Sequence, residues 1–491
     1  MSAKIYDTIL WEYIKNPWEK WLSLDKLSKK YFDYEMMSFD ELVKQQKLSD
    51  FSEVSLEKAS KYSAEDVYIT AKLFEKQKKD WILNNKVLNE IEIPLVKVLK
   101  DIEITWVKID RDRLKELWTI FENEIIKLSN SIYEEVGEEF NISSPKQVGE
   151  ILFDKLKLPK WKKTKTGWSV NAETLETLAK EHPIAAKIIE YRHYSKLNST
   201  YVIGLLDLLD ENDLVHTNYN QTVTSTGRLS STNPNLQNIP AWDGIAWEIR
   251  SAFVSRFENW KIMTFDYSQV EIRILAIMSG ENHLIEAFKK WYDIHSITAE
   301  LIWTKDRRVA KAVNFWVIYG LSAFWLSKMI NISVKEASKY IKKFFETYPK
   351  VKEYLGKTIR FAEENWYVET LFWRRRYISG INDANKMIKQ KAEREAINMP
   401  IQGTSADIIK IAMNRVYDYL NPPIQTFPPK GERLKSKMIM QVHDELVFDI
   451  YPWEEEILEK NIKNIMENIL ENSVVKLKVD SKIWNNWKEA K

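Results

Sequence analysis

The chain has 491 residues, long enough for about three domains, and its 73 basic and 71 acidic side chains leave a net charge of only +2. Charge this balanced indicates no particular partner, so any affinity for nucleic acid must come from local basic patches. The absence of cysteine excludes disulfides, thiolate zinc sites and a cysteine nucleophile. Because no apolar run reaches membrane-spanning length and residues 1–20 show no signal-peptide pattern, we expect a soluble, cytoplasmic protein with no membrane contact.

The first 205 residues are predicted to be mainly helical. Residues 1–90 are charged and favour a helical packing domain, and residues 90–205 favour long amphipathic helices, one of them starting at Ser143-Ser144-Pro145. The basic loop Lys160 to Lys165 is typical of a solvated surface more often than of a DNA contact.

An acidic residue ends the apolar run Ile262 to Phe265 in KIMTFDYSQVEIR. The run predicts a short buried strand, with a helix-like pattern after it, so Asp266 would lie where the strand ends. A carboxylate there can hold a hard cation beside a cleft. On its own the pattern fits an ordinary turn or helix-capping aspartate better.

A second acidic strand end lies in MIMQVHDELVF, residues 438–448. Apolar runs flank Gln441 and His443-Asp444-Glu445, which predicts a hairpin with its polar residues at the tip. An ordinary charged turn is the alternative. If Asp266 and Asp444 meet in one sheet, their oxygens suit Mg²⁺, and two such ions are the usual arrangement for in-line phosphoryl transfer.

Between these acidic sites, RRVAKAVNFWVIY predicts a helix with an unusual stripe. Arg307, Lys311, Phe315 and Tyr319 are spaced four apart, so they share one helical face. Two cations followed by two rings match a nucleoside triphosphate, although a chance surface arrangement is the alternative.

Two further polar segments could face nucleic acid. Residues 224–240, TSTGRLSSTNPNLQNIP, are rich in hydroxyl and amide groups that can donate to phosphates and to minor-groove acceptors, or can form a plain polar loop. In KAEREAINMPIQ, Arg394, Asn398 and Gln402 form a polar stripe at helical spacing.

Taken together, these segments resemble the bacterial family A DNA polymerases. DYSQVEIR resembles motif A, RRVAKAVNFWVIYG motif B and QVHDELVF motif C, while TGRLSSTNPNLQNIP and MPIQGTSADIIK also match. The resemblance covers essentially the whole chain. It implies an α+β fold, a right hand with an antiparallel β-sheet palm, helical fingers and helical thumb, preceded by a partial ribonuclease H-like exonuclease remnant.

The resemblance also implies boundaries and a reaction. The exonuclease remnant would span 1–90, the thumb and the start of the polymerase domain 91–205, the motif A palm 206–284, the fingers 285–385 and the motif C palm 386–491. The implied reaction is template-directed addition of dNTPs to a primer 3′-OH on a DNA primer–template duplex, with two Mg²⁺ ions and release of pyrophosphate, by a monomer serving DNA repair or replication.

Site roles follow from the same resemblance. Asp266 and Asp444 would bind the metal ions, Glu445 would be catalytic beside them, and Lys311 would hold the triphosphate and donate a proton to the leaving pyrophosphate. The other nucleotide-binding residues would be Arg307, Phe315, Tyr319, Glu271, His295 and Gln269. Glu271 would be the gate that excludes a ribose 2′-OH, and phenylalanine at 315 is implied to disfavour dideoxynucleotides. The DNA-binding residues would be Arg228, Asn235, Gln237, Asn238, Arg394, Asn398, Gln402 and His443.

Residues 1–90 resemble only the C-terminal part of the family's 3′–5′ exonuclease domain, with Tyr62 and Asp66 in its last motif. The earlier acidic motifs would lie before Met1. We therefore expect no proofreading, and no 5′-nuclease domain.

Tryptophan is abnormally frequent and glycine abnormally rare. The chain has 20 Trp and 12 Gly, whereas ordinary usage of about 7% glycine would give roughly 34 glycines. Many tryptophans stand where the family has glycine. The clearest are Trp106, Trp161, Trp291, Trp316, Trp325, Trp366 and Trp373, and we expect the same of Trp18, Trp21, Trp247, Trp303 and Trp484. Trp487 matches a family tryptophan.

We hypothesise that the gene reads a UGA codon as glycine and that the sequence was translated with tryptophan instead. A chain carrying all twenty tryptophans is expected to fold or act poorly, most directly through Trp316.

Two other functions compete with a DNA polymerase. A single-subunit RNA polymerase shares the hand, but Glu271 and Glu445 argue against it. A catalytically impaired, DNA-binding polymerase remnant is opposed by the intact Asp266, Asp444, Arg307 and Lys311.

Overall fold

The structure is a computed structural model. It describes residues 5–17, 19, 21–44, 47–79, 85–160, 163–164, 167–240, 244–302, 304, 306–320, 322–422 and 434–490, but not the side chains of 164 and 315–318. Parts of the basic loop 160–165 and of the proline-rich segment 421–431 therefore lie outside the described residues, as do Trp18, Trp161 and Trp303.

The N-terminal region is helical, as predicted, and its described part contains no β-strand. Asp7 caps the first helix by accepting hydrogen bonds from the amides of Ile9 and Leu10. The buried side chains of Trp11 and Tyr13 pack this helix against residues 87–91. Its helices are α1 Thr8–Lys15, α2 Leu24–Phe32, α3 Phe39–Leu42 and α4 Leu56–Gln77.

A second helical region follows and includes the predicted helix start at Ser144, whose side chain accepts from the amide of Gln147. A π-helical turn, Val87–Glu92, leads directly into its first helix. Its elements are α5 Ile93–Thr105, β1 Val107–Ile109, α6 Arg111–Val136, α7 Pro145–Gly149, β2 Lys163–Thr164, β3 Gly167–Trp168, α8 Ala172–Leu178, α9 Pro183–Lys196 and α10 Gly204–Leu206.

Short strands then lead to the predicted buried strand, which is confirmed as β8. These elements are β4 Leu214–Val215, β5 Asn218–Asn220, β6 Ser230–Thr232, β7 Phe253–Val254, β8 Lys261–Tyr267, α11 Val270–Ser279 and α12 Asn282–Lys289.

The next region is helical except for a hairpin that the sequence pattern did not indicate. Its helix α14 confirms the predicted helix of the cation–aromatic stripe. The elements are α13 Ile294–Leu301, α14 Arg307–Tyr319, α15 Ala323–Met329, α16 Val334–Thr347, α17 Pro349–Asn365, β9 Tyr367–Glu369 and β10 Arg375–Tyr377.

The C-terminal region begins with a 35-residue helix and completes a four-stranded antiparallel sheet. The predicted acidic hairpin is confirmed as β11 and β12, and the strand order is β11-β12-β8-β13. Its elements are α18 Lys386–Leu420, β11 Lys437–Val442, β12 Glu445–Ile450, α19 Glu455–Glu467 and β13 Val479–Trp484.

This sheet has a hydrophobic core on each face because its strands alternate apolar residues to both sides. Phe265 and Phe448 pack into the core shared with α11, α17 and α18. Ile262, Val447 and Trp487 pack into the core shared with α6 and β1. Burial on both faces fixes the register of the strands, and therefore which residues meet at the end of the sheet.

Candidate active site

The two aspartates predicted to meet do lie at the same end of the central sheet. Asp266 is paired across β8 and β12 with Glu445, and the Tyr267 amide donates to the Asp444 carbonyl at 3.2 Å. Both aspartates are half-buried. His443, exposed and with φ of +57°, makes the tight turn that places Asp444 there.

The donor chemistry of this pair fits magnesium. Mg²⁺ binds carboxylate oxygens and usually keeps waters and substrate phosphates as its other ligands, so a dedicated protein cage is not required. Among the residues that the structure describes, no group of three or more His, Asp or Glu side chains is arranged to hold a metal ion. Asp266 and Asp444 are the residues that would hold the ions.

Glu445 lies beneath the hairpin rather than on its surface. It is fully buried, and its Oε1 accepts a 2.9 Å hydrogen bond from the Trp487 indole. The Arg250 guanidinium lies 3.8 Å from its Oε2 and stacks on the Trp487 ring. Burial lowers the pKa of Arg250 to about 10, although Glu445 and Asp266 oppose this shift. Glu445 therefore anchors the start of β12 to Trp487 and Arg250.

A second cluster joins three predicted residues beside Asp444. The Arg228 guanidinium donates to the Glu271 carboxylate at 2.6 Å, and burial and the neighbouring Glu271 charge raise the pKa of the Tyr319 hydroxyl. Glu271 is only 7% exposed; burial raises the pKa of its carboxyl, as does the Asp444 charge, while Arg228 lowers it. Arg228, Glu271 and Tyr319 thus form one polar wall next to Asp444.

The third cluster gathers the predicted phosphate-binding residues around an aspartate, Asp293. This residue caps α13 and accepts from Arg307 at 2.7 Å and from Gln269 at 3.5 Å. Although burial opposes it, hydrogen bonds from Arg307, the Ser296 hydroxyl and the His295 amide hold the pKa of Asp293 well below its usual range. Arg307 and Lys311 are both exposed on α14, so both cations are accessible to solvent, Arg307 while paired with Asp293.

His295 completes this cluster as a buried, neutral imidazole. Burial lowers its pKa to about 4; Asp293 opposes the shift, and the cations of Arg307 and Lys311 add to it. The Thr298 hydroxyl donates to the Asn314 carbonyl oxygen, so the Asn314 amide donates at 2.9 Å to Nδ1 of His295. The ring proton therefore lies on Nε2, which makes that nitrogen a hydrogen-bond donor.

Hydrogen bonds within the chain hold the polar segment 224–240 in place. The Asn235 side chain caps a short 3₁₀ turn by accepting from the Gln237 amide, and the Gln237 side chain donates to Gln441 at 2.8 Å. The carbonyl of Asn238 accepts from the Tyr201 hydroxyl. Asn235 and Asn238 are exposed, so their side chains are accessible at the surface.

The stripe on α18 runs from the end of α14 toward the Arg228 loop. A Cβ on Gly320 would lie 3.3 Å from Arg394, and a Cβ on Gly403, next to Gln402, would lie 3.3 Å from the Thr226 carbonyl. Asn398 has a buried side-chain oxygen with no hydrogen-bond partner among the described residues. The Phe315 side chain, like that of Trp316, lies outside the described part of the chain.

The sequence profile of DNA polymerase family A matches residues 111–489. The chain belongs to DNA polymerase family A. It is 47% identical over 413 residues to DNA polymerase I of Caldicellulosiruptor bescii, covering 82% of this chain and 47% of that protein. It is 41% identical over 499 residues to DNA polymerase I of Bacillus subtilis, covering 99% of this chain and 55% of that protein. The chain thus spans about half the length of the curated relatives it matches.

A solved polymerase domain has the same fold as this chain. The POL domain of Pol1 from M. smegmatis, in complex with DNA primer-template and dNTP, superposes with a TM-score of 0.85 at 33% identity, covering 99% of this chain and 82% of that one. The predicted α+β right hand, with an antiparallel palm sheet, helical fingers and helical thumb, is therefore confirmed. Among the described residues of this family A chain, no helix combines the length and apolarity needed to cross a bilayer.

Several residues of this family A site were not anticipated from the sequence. Asp293 lies two residues before His295, which the resemblance did imply. Asn314 lies on α14 but outside the stripe of residues spaced four apart. Arg250 lies outside every motif that was recognised. An aspartate directly before the helical pattern of residues 294–301 is a helix-capping signal, and that was the available indication of Asp293.

Proposed function

We propose that this chain is a template-directed DNA polymerase that adds dNTPs to a primer 3′-OH and releases pyrophosphate. The observation that carries the proposal is the register of β8 against β12, which brings Asp266 and Asp444 to one end of the sheet. The Glu271 wall lies next to Asp444. Membership of family A and the likeness to a Pol1 domain solved with primer-template and dNTP support the same reaction.

In this proposal the α14 residues bind the incoming triphosphate. Arg307, oriented by Asp293, and Lys311 offset its negative charge, and the His295 Nε2–H donates a hydrogen bond to it. Lys311 donates a proton as pyrophosphate leaves. Phe315 is proposed to lie against the base and sugar of the dNTP, and Tyr319 is proposed to guard the templating position. Two Mg²⁺ ions, when held by Asp266 and Asp444, would stabilise negative charge on the attacking and leaving oxygens.

Glu271 is proposed to select deoxyribose. Its buried carboxylate is held in one place by Arg228, so a ribose 2′-OH would have to displace it. This is the specific observation that favours a DNA over an RNA polymerase. Arg228 and the exposed Asn235 and Asn238, with Gln237, His443 and the α18 stripe, are proposed to contact primer and template.

The regions are proposed to divide as the resemblance implies, with the thumb in 91–205, the fingers in 285–385 and the palm on either side of the fingers.

We also propose that this chain acts as a monomer without 3′–5′ excision. Tyr62 and Asp66 lie on α4, and one carboxylate is insufficient for a two-metal nuclease site. A mismatched primer incubated with Mg²⁺ and no dNTP should stay intact, and its shortening would contradict this part.

Primer extension tests the proposal directly. With Mg²⁺ and a defined primer–template, the chain should add the complementary dNTP and stop where the next one is withheld. Efficient ribonucleotide addition would favour the RNA polymerase alternative. Tight primer–template binding without any extension would favour the impaired, DNA-binding remnant.

A further inference from the structure

The N-terminal helical region makes one hydrogen bond directly to the loop that carries Arg228. The hydroxyl of Tyr13, on α1, donates to the Thr224 carbonyl at 2.6 Å, across 211 positions of sequence. Tyr13 is 1% exposed, and burial raises its pKa to about 12, so the hydroxyl stays protonated and remains a donor. Because the tyrosine is fixed in a core, its hydroxyl provides a rigid anchor for the loop.

Two more hydrogen bonds connect Thr224 to Glu271 through Arg228. The Thr224 hydroxyl donates to the Arg228 carbonyl at 2.7 Å, which closes the turn, and the Arg228 guanidinium donates to Glu271 at 2.6 Å. Each step from Tyr13 on α1 to the proposed sugar-selecting carboxylate of Glu271 is therefore a hydrogen bond of 2.7 Å or less.

A buried charged group supports the other side of the same turn. Arg374, 3% exposed, bonds Glu92 at 2.5 Å and Asp407 at 2.8 Å, while Lys410 bonds Glu92 at 2.7 Å. A Cβ on Gly227 would come within 2.8 Å of Arg374, so the turn lies directly on this guanidinium. The φ of Gly227 is +86°, a conformation that favours glycine, so the backbone at this contact is closely specified.

We propose that Tyr13 is a positioning residue for nucleotide selection, and that the N-terminal helical region braces the Arg228 loop. This inference rests on the proposed polymerase function and extends it to a region that would otherwise have only a packing role. It acts through Arg228 on Glu271, so its main effect is on the choice between deoxyribose and ribose.

The test is Tyr13→Phe, which keeps the ring and removes the hydroxyl. Tyr31→Phe is the matched control, because the Tyr31 hydroxyl bonds Glu12 inside the same region. The readout is the ratio of kcat/KM for a dNTP to that for the matching rNTP. A ratio does not depend on the fraction of active enzyme, so general destabilisation leaves it unchanged.

Loss of one such hydrogen bond should lower this ratio by roughly fivefold in Tyr13→Phe and leave it unchanged in Tyr31→Phe. An unchanged ratio in Tyr13→Phe, or an equal fall in both variants, overturns the proposal. Hydrogen exchange of the amides at 224–228 provides a readout that needs no activity. Exchange should be faster in Tyr13→Phe alone, and equal exchange overturns the bracing role, whereas inactivity of the parent chain would refute only the polymerase function.

A separate observation concerns the tryptophans. Among the residues that the structure describes, five tryptophans have positive φ: Trp106, Trp291, Trp366, Trp373 and Trp453. Such backbone conformations are unusual for a bulky side chain and ordinary for glycine. Trp106, with φ of 62° and ψ of 170°, lies in a region that is essentially restricted to glycine.

The side chains at these positions contribute little to a core. Trp291, Trp366, Trp373 and Trp453 are all more than half exposed, and Trp366 terminates α17 in the left-handed conformation where glycine is preferred. By contrast, Trp11 and Trp487 are fully buried. Backbone geometry therefore separates these five tryptophans from Trp11 and Trp487, and Trp453 joins the five on that geometry alone.

We infer that the natural product carries glycine at these five positions, through a UGA codon read as glycine. The codons at the five positions should be UGA, and those of Trp11 and Trp487 should be UGG; UGG at the five would overturn the inference. In purified protein, replacing the five with glycine should raise Tm by several degrees, whereas Trp487→Gly should lower it. A fall in Tm on the fivefold replacement would contradict the inference.

Discussion

Replacing His295 with glutamine should remove a defined part of the pH dependence of stability. The imidazole has an ordinary pKa of 6.5, and burial, increased by Arg307 and Lys311 and opposed by Asp293, lowers it to about 4 in the folded chain. Between these two values the unfolded chain takes up a proton that the folded chain does not. His295 therefore makes the folded state less stable as the pH falls from about 6.5 to about 4.

The size of the effect follows from the same two values. Each unit of pKa shift is worth about 1.4 kcal/mol, so linkage gives a loss of about 2 kcal/mol between pH 7 and pH 5. His295→Gln does not titrate and should lack this loss, while other groups contribute equally to parent and variant. Urea unfolding followed by circular dichroism at the two pH values measures the difference.

His283→Gln is the matched control, because the His283 ring is exposed and should not account for the loss. If His295→Gln shows the same fall in stability between pH 7 and pH 5 as the parent, His295 is not the neutral donor described here. The arrangement in which Asn314 donates to Nδ1 would then be wrong as well.

Three further changes probe the polar wall and the buried charges. Glu271→Ala should raise rNTP incorporation relative to dNTP, measured as a ratio of kcat/KM; an unchanged ratio would contradict its role as the gate. Trp487→Phe removes the indole hydrogen bond to the buried Glu445 and should cost about 1–3 kcal/mol in urea unfolding; unaltered stability would refute the supporting role of that bond. Arg374→Met leaves two buried carboxylates without this cation and should cost about 3–5 kcal/mol, whereas Arg375→Met, at a half-buried neighbour, should cost much less; equal losses would contradict the buried network.

Local elements could be predicted from the sequence because their patterns are local. The apolar run before Asp266, the acidic hairpin and the helix α14 can each be recognised from the spacing of apolar and polar residues within one short segment. Each of them is present in the structure. The resemblance then supplied the order of the palm, fingers and thumb. The hairpin β9–β10 was missed because its strands are only three residues long and contain two arginines.

The pairing of strands from distant segments could not be predicted from the periodicity of the sequence within each segment. The β13 strand lies beside β8 with Asp480 opposite Asp266, and nothing in its own pattern specifies that neighbour. In the same way, the sequence showed Glu445 next to Asp444 but not that it lies buried between Trp487 and Arg250. Register and burial follow from tertiary packing, which decides which side of a strand faces the cleft.

The most direct test of the proposed active site is single-turnover primer extension by Asp266→Asn and Asp444→Asn. Asp480→Asn is the matched control, because Asp480 pairs with Asp266 across the same sheet but its side chain is 59% exposed. Binding of the primer–template, measured by fluorescence anisotropy, should remain within a few-fold of the parent in all three. The first two should lose extension by on the order of a thousandfold, as expected when a group that holds the metal ions is removed, and the control should keep it. Extension by Asp444→Asn at the parent's rate, with DNA bound equally well, would contradict the account.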